Sequence, residues 1–127
     1  MERTTGRAPT VLGMSWPPEV GALLPRGDAA WYVDEKWADW ILAEPGHAGE
    51  WGRVFSVTLA DRERVWYAVR ATSSSAPIDT VREAPDGITC GVSAVITLGD
   101  RTARVRIVWH YAHEDAAPRL VTAYPSL

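Results

Sequence analysis

The strongest constraint on the fold comes from alternating apolar and polar residues near the C-terminus. Residues 88–98 are rich in β-branched side chains, and residues 102–111 repeat the alternation after Gly99 and Asp100. A glycine next to an acidic residue supplies a tight turn between two such segments. A third short segment of the same kind covers residues 118–124. The pattern therefore predicts three antiparallel strands in the C-terminal third of the chain.

The preceding part of the chain contains helical patterns. Asp34 can cap a helix that runs to about residue 43, and the Pro45-Gly46 pair ends it. A second helix is predicted over residues 62–71, where apolar side chains recur at helical spacing. Residues 53–59 fit either a strand or the start of a helix, and the sequence leaves both open. The order of elements predicts an α+β fold, with N-terminal helices packed on a C-terminal antiparallel sheet.

The size and composition indicate one domain. A chain of 127 residues is long enough for one core and too short for two. Its hydrophobic content of 46% and its 7 tryptophans exclude a disordered chain. We expect a flexible tail at residues 1–12 and a single α+β domain at residues 13–127. Cys90 stands alone and the apolar runs are too short to span a bilayer, so we expect no disulfide and no membrane association.

Two arginines mark one face of the predicted strand at residues 102–111. Alternation places Arg104, Arg106 and His110 on the face opposite the apolar side chains. Two neighbouring guanidinium groups suit phosphate oxygens, so these residues are candidates for substrate binding. A solvated sheet face is the simpler alternative. The net charge of −3 argues against generic nucleic-acid binding, so any basic surface must be local.

A predicted glycine-rich loop at residues 45–52 carries His47 and Trp51. A histidine on such a loop can act as a general acid or base near neutral pH, and an exposed tryptophan can stack on a nucleobase. Arg53 would place a second cation close to His47. The alternatives are a helix-ending turn with an incidental histidine, a tryptophan in the core and an ion-paired arginine.

Several motifs resemble a bacterial domain family found at the ends of polymorphic-toxin proteins. They are a Leu-Pro-x-Gly-Asp-x-Ala opening at residues 24–30, a Lys-x-x-x-x-Ile-Leu helix at 36–42, a glycine-containing segment from a His to a basic residue and Phe at 47–55, Val-Trp at 108–109 and Pro-Arg-Leu-Val-Thr-Ala-Tyr-Pro at 118–125. The terminal Thr-x-Tyr-Pro, with the earlier histidine and basic residue, is similar to the barnase/EndoU/colicin/RelE-like ribonuclease superfamily. That superfamily combines N-terminal helices with an antiparallel sheet.

The resemblance implies RNA cleavage without a metal ion or other cofactor, by attack of the RNA 2′-hydroxyl on the adjacent phosphate. It makes His47 the general acid or base and Arg53 the group that stabilises phosphate charge, with Thr122 and Tyr124 at the cleavage centre. Arg53 stands where we would expect lysine, which keeps the charge but removes a proton donor. RNA, including tRNA, and a cognate immunity protein are the implied partners. The implied location is the cytoplasm, either of the producing cell or of a target cell. For a target cell, the domain would be secreted as part of a larger toxin.

A non-catalytic protein-binding module of the immunity or adaptor type is the main alternative. Residues 1–50 contain four basic and eight acidic side chains, which would steer association with a cationic partner. Binding of a nucleotide phosphate by the arginine face without catalysis is a third hypothesis. His110 and His113 lack a third ligand in range, so we expect no metal site.

Overall fold

Residues 16–43 and 46–126 are described by the computed structural model of this chain. The predicted tail at residues 1–12 lies outside this part. Three helices precede a four-stranded antiparallel sheet in the described part of the chain. This arrangement confirms the α+β class and the order of helices before strands.

The helices and strands have the following bounds. Helix α1 begins at Asp34–Lys36 and continues as a π-helical turn through Trp37–Ile41, α2 covers Ala48–Phe55, and α3 covers Arg62–Thr72. Short 3₁₀ turns occur at Gly27–Ala29 and Leu59–Asp61. The strands are β1 at Ile78–Ala84, β2 at Gly87–Leu98, β3 at Arg101–Tyr111 and β4 at Arg119–Pro125.

The sheet is a meander in which each strand pairs with the next along the chain. The predicted strands at residues 88–98, 102–111 and 118–124 correspond to β2, β3 and β4 with ends shifted by about one residue, as is usual for element boundaries. Strand β1 was not predicted from the sequence. Among its residues only Ile78 is fully buried, so this edge strand lacks a strong apolar alternation.

The predicted loop at residues 45–52 was wrong, because residues 48–55 form α2. Trp51 and Phe55 are four positions apart and both are buried, which places them on one side of a helix. This packing outweighs the low helix propensity of the glycines in α2. The helix ends at Ser56, whose φ of 57° is left-handed. The open question about residues 53–59 is therefore answered by a helix that stops after Phe55.

The core lies between the helices and one face of the sheet. Its largest fully buried side chains include Trp37 from α1, Trp51 from α2 and Trp109 from β3. The Tyr111 hydroxyl donates to the carbonyl oxygen of Pro25 at 2.6 Å, which satisfies its one polar group in the interior. Most of the seven tryptophans therefore contribute to packing, whereas Trp31 and Trp40 are exposed.

An irregularity between Val108 and Trp109 of β3 sets the faces of β4. Trp109 pairs with Leu120, which is fully buried, whereas Val108 pairs with Thr122. Directly opposed residues share a face, so Thr122 lies on the outer side of the sheet, away from the core. Strict alternation would place Leu120 on the same face as Thr122 and Tyr124, but the β-bulge changes the alternation and turns Leu120 toward the core.

Candidate functional site

His47 stands at the N-terminus of α2, where its backbone N–H donates to the carbonyl oxygen of Trp40 at 3.0 Å. Its Nδ1 lies 2.9 Å from Oε1 of Glu50, one turn along the helix. A carboxylate can only accept, so Nδ1 carries the hydrogen of this bond. No protein group in the described part of the chain occupies Nε2. The neutral imidazole therefore offers Nε2 as a proton acceptor.

Two aromatic side chains hold the His47 ring in place. It stacks on Tyr124 of β4 with ring centroids 4.5 Å apart and planes inclined by 22°. Trp40 of α1 meets it edge to face, at 5.6 Å and 82°. The side chain of His47 remains 20% exposed, so solvent and a ligand can reach it. The result is an oriented, accessible histidine whose position depends on three different elements.

Gly46 is required for the close contact between α1 and the start of α2. A Cβ atom at this position would lie 1.8 Å from the carbonyl oxygen of Trp40, which is far inside van der Waals contact. The glycine therefore permits the backbone bond between His47 and Trp40. A residue without a Cβ atom is therefore needed where the backbone approaches α1 this closely.

Thr122 precedes Tyr124 by two positions on β4. Both lie on the outer side of the sheet, where they pair with Val108 and Arg106 of β3. The Oγ1 atom of Thr122 is buried and has no hydrogen-bond partner among the described residues. Buried hydroxyls are rarely left unpaired, but this oxygen is closed to solvent, so a substrate oxygen can reach it only after neighbouring side chains move. Of the four predicted catalytic residues, the structure places His47 and Tyr124 in contact, with Thr122 beside Tyr124 on its strand.

Trp51 cannot stack on a nucleobase, contrary to the expectation for a loop residue. It is fully buried, and its Nε1–H donates to the carbonyl oxygen of Ala123 at 2.9 Å. The bond joins α2 to β4 immediately before Tyr124. Trp51 therefore positions the helix that carries His47 against the strand that carries Tyr124.

Arg53 is exposed on α2, six residues after His47. This spacing corresponds to about 9 Å along the helix axis and about 120° around it, so the Arg53 and His47 side chains lie on different sides of α2. No acidic side chain in the described ranges forms an ion pair with Arg53. The guanidinium is therefore free to meet an anion, although it does not touch His47.

The arginine face predicted on β3 does not assemble around His47. Arg106 donates to Thr80 at 2.8 Å and pairs with Asp79, both on β1, so its side chain extends away from β4. It crosses Gly91, where a Cβ would collide with it. His110 bonds through Nε2 to the carbonyl oxygen of Asp86 at 3.0 Å.

Of the predicted substrate-binding residues on β3, Arg104 alone is an exposed side chain. Glu50 and Trp40, which hold the His47 ring, were not predicted as site residues. The signal for Glu50 was its spacing of three residues from His47, which brings two side chains together only on a helix. Because residues 45–52 were predicted to form a loop, the spacing of His47 and Glu50 did not predict a contact between them.

Two buried groups are excluded from the candidate site. Burial raises the pKa of the Cys90 thiol from 9.0 to about 11, which leaves it protonated and unreactive near neutral pH. Burial also raises the pKa of Tyr111.

Among the residues that the structure describes, no cluster of three or more His, Cys, Asp or Glu side chains could hold a metal ion. None of the described helices is both long and apolar enough to cross a membrane.

Comparisons with protein-family models, curated proteins and solved structures found no match to this chain. The geometry around His47 and the sequence motifs are therefore the basis for assigning a function.

Proposed function

We propose that this protein is a ribonuclease that cleaves RNA by general acid–base catalysis without a metal ion. The observation that carries the proposal is the His47 ring, bonded to Glu50 through Nδ1, stacked on Tyr124 and open at Nε2. A carboxylate behind Nδ1 selects the tautomer in which Nε2 accepts a proton, and it stabilises the imidazolium that forms. This is the arrangement that a general base requires.

In the proposed reaction, Nε2 of His47 takes the proton of an RNA 2′-hydroxyl while the 2′-oxygen bonds to the adjacent phosphorus. The bond from phosphorus to the 5′-oxygen breaks, leaving a 2′,3′-cyclic phosphate. The departing oxygen takes a proton from the Tyr124 hydroxyl, and the proton on His47 returns to Tyr124 through solvent. The chemistry requires proton transfer and charge stabilisation only, which side chains can supply.

Arg53 and Thr122 would stabilise charge on the phosphate. The Arg53 guanidinium has no acidic partner in the described part of the chain. The Thr122 hydroxyl also has no bond there, and because it is buried it would bond a phosphate oxygen only after neighbouring side chains move. Hydrogen-bond donors directed at developing negative charge lower the barrier of such a step. Because the chain has a net charge of −3, these local groups must supply attraction for RNA that its overall charge does not.

The test is cleavage of total RNA and tRNA in excess EDTA, followed by denaturing electrophoresis. We expect discrete fragments with 2′,3′-cyclic phosphate ends from the parent protein. His47→Ala should reduce the cleavage rate by about 10²–10⁴-fold, the usual contribution of a general acid or base. His113→Ala is the matched control. His113 is exposed, lies after β3, and its Nδ1 accepts only a backbone N–H, so this variant should cleave RNA at the rate of the parent.

Circular dichroism spectra must show that all three proteins are folded. Intact RNA with a folded parent would refute the proposal. It would favour the alternative of a protein-binding module, for which capture of a cationic partner would be the next measurement.

A further inference from the structure

Strand β1 forms one edge of the sheet, with β2 on one side of it. On the other side, its first residue, Ile78, bonds to a neighbouring segment. The Gly21 N–H donates to the Ile78 carbonyl oxygen, and the Ile78 N–H donates to the Ala22 carbonyl oxygen, both at 2.8 Å. Among the described residues, none bonds the backbone of residues 79–84 on this side. We call residues 79–84 the open edge of β1.

Two residues direct their backbone groups toward the open edge. Ala84 and Gly87 flank a two-residue turn, so they exchange both hydrogen bonds of their pair. Such pairs alternate along an antiparallel ladder, which places the N–H and C=O groups of Val81 and Glu83 on the side away from β2. An unpaired strand edge of this kind can bond the backbone of another extended chain.

The side chains beside the open edge indicate which extended chain it accepts. A pocket of about 480 Å³ lies on the outer face of the sheet and reaches β1. Its lining includes Thr80 and Arg82 from β1, Thr89 and Gly91 from β2, and Arg106 and Val108 from β3. Among the described residues that line it are two guanidinium groups and two hydroxyl groups, and none carries a carboxylate.

Arg82 is the cation that a partner can reach. Arg106 is already paired with Asp79, whereas Arg82 is exposed and forms no ion pair within the described ranges. A strand added beside β1 places every second side chain on the outer face, next to Arg82. A second copy of β1 would bring its own Arg82 to this face, where the two cations repel each other. Charge complementarity therefore favours acidic side chains at these positions.

We propose that the open edge of β1 binds an extended acidic segment of a partner protein. The segment pairs with the backbone of Val81 and Glu83 and places a carboxylate beside Arg82. Tyr124 lies on β4, at the opposite edge of the sheet, so this interaction does not depend on the proposed ribonuclease function.

The test uses the peptide Val-Glu-Val-Glu-Val-Glu-Val as the probe and the same peptide with lysine in place of glutamate as its control. Fluorescence anisotropy measures the Kd, and amide chemical shifts of isotope-labelled protein locate the bound peptide. We expect shift changes at Val81 and Glu83 and tighter binding of the glutamate peptide. Arg82→Glu should weaken binding of that peptide by about tenfold or more and reverse the preference toward the lysine peptide.

Glu83→Pro tests the backbone bonds. Proline removes the N–H that points away from β2, so the ladder stays intact, and the Kd should rise by about three- to tenfold. Glu83→Ala is the matched control, because it removes the same side chain but keeps the N–H, and it should bind like the parent. A glutamate peptide with every amide nitrogen methylated makes the same test on the unchanged protein and should not bind. Circular dichroism spectra must show that the variants are folded.

Three outcomes would overturn the proposal. The first is equal binding of the glutamate and lysine peptides, or no binding of the glutamate peptide by the folded parent at about 1 mM. The second is binding that leaves the amide shifts of Val81 and Glu83 unchanged. The third is a dimer of the parent that Glu83→Pro converts into a monomer, which would assign the open edge to a second copy of this chain.

Discussion

Replacing Trp51 with phenylalanine tests whether this residue holds α2 on the sheet or serves an exposed role. The indole is 0% exposed, and its Nε1–H donates to the Ala123 carbonyl at 2.9 Å. Phenylalanine removes that donor and leaves a buried carbonyl with one bond fewer, at a cost of about 1–3 kcal/mol. It also removes about three ring atoms, which amounts to about 2 kcal/mol if each is treated as a buried methylene group.

Together these losses predict that Trp51→Phe lowers the free energy of unfolding by about 3–5 kcal/mol, a large part of the stability of a small domain. Urea denaturation followed by circular dichroism measures the difference. Trp40→Phe is the matched control, because Trp40 is 44% exposed, and it should change stability by less than about 0.5 kcal/mol. A loss below about 1 kcal/mol for Trp51→Phe, with RNA cleavage impaired, would refute the structural role and restore the hypothesis of an exposed stacking residue.

Two further predictions concern backbone packing and pH. Gly46→Ala should lower the free energy of unfolding by about 1–3 kcal/mol and impair cleavage, because the added Cβ would collide with the Trp40 carbonyl. In the control Gly49→Ala, the added Cβ meets no atom within 4 Å, so the free energy of unfolding should stay equal or rise. Urea denaturation of both variants checks this, and equal effects would contradict it. Burial raises the pKa values of Cys90 and Tyr111, so the folded state favours their protonated forms and the free energy of unfolding should fall as pH rises from 9.0 through about 11. Urea midpoints that stay constant across this window would contradict the assignment of either group to the interior.

Local sequence signals determined most of the fold. The helical spacing of residues 62–71 located α3, and the alternation around Gly99-Asp100 located the central hairpin. The helix predicted from Asp34 also begins at this residue, but the prediction that Asp34 caps it was wrong, because the N-cap is Val33 and no side chain caps the helix. These signals depend on neighbouring residues in the chain, so they can be read without knowing the rest of the structure. The α+β class follows from their order.

The remaining elements depended on distant contacts. Helix α2 forms in a glycine-rich segment because Trp51 and Phe55, one turn apart, are buried against the rest of the domain, and this burial outweighs the low helix propensity of the glycines. Strand β1 forms as the partner of β2 although its own alternation is weak. Local propensity failed in both places because tertiary packing outweighs it.

The candidate site shows the same division. The residue types and motifs determined which side chains to consider, and His47 and Tyr124 were among them. Only the tertiary structure decided that these two rings stack, that Glu50 orients the imidazole and that Arg106 pairs with β1 instead. The reason is geometric: a sequence specifies the chemistry of each side chain, but helix packing and strand register decide which side chains meet.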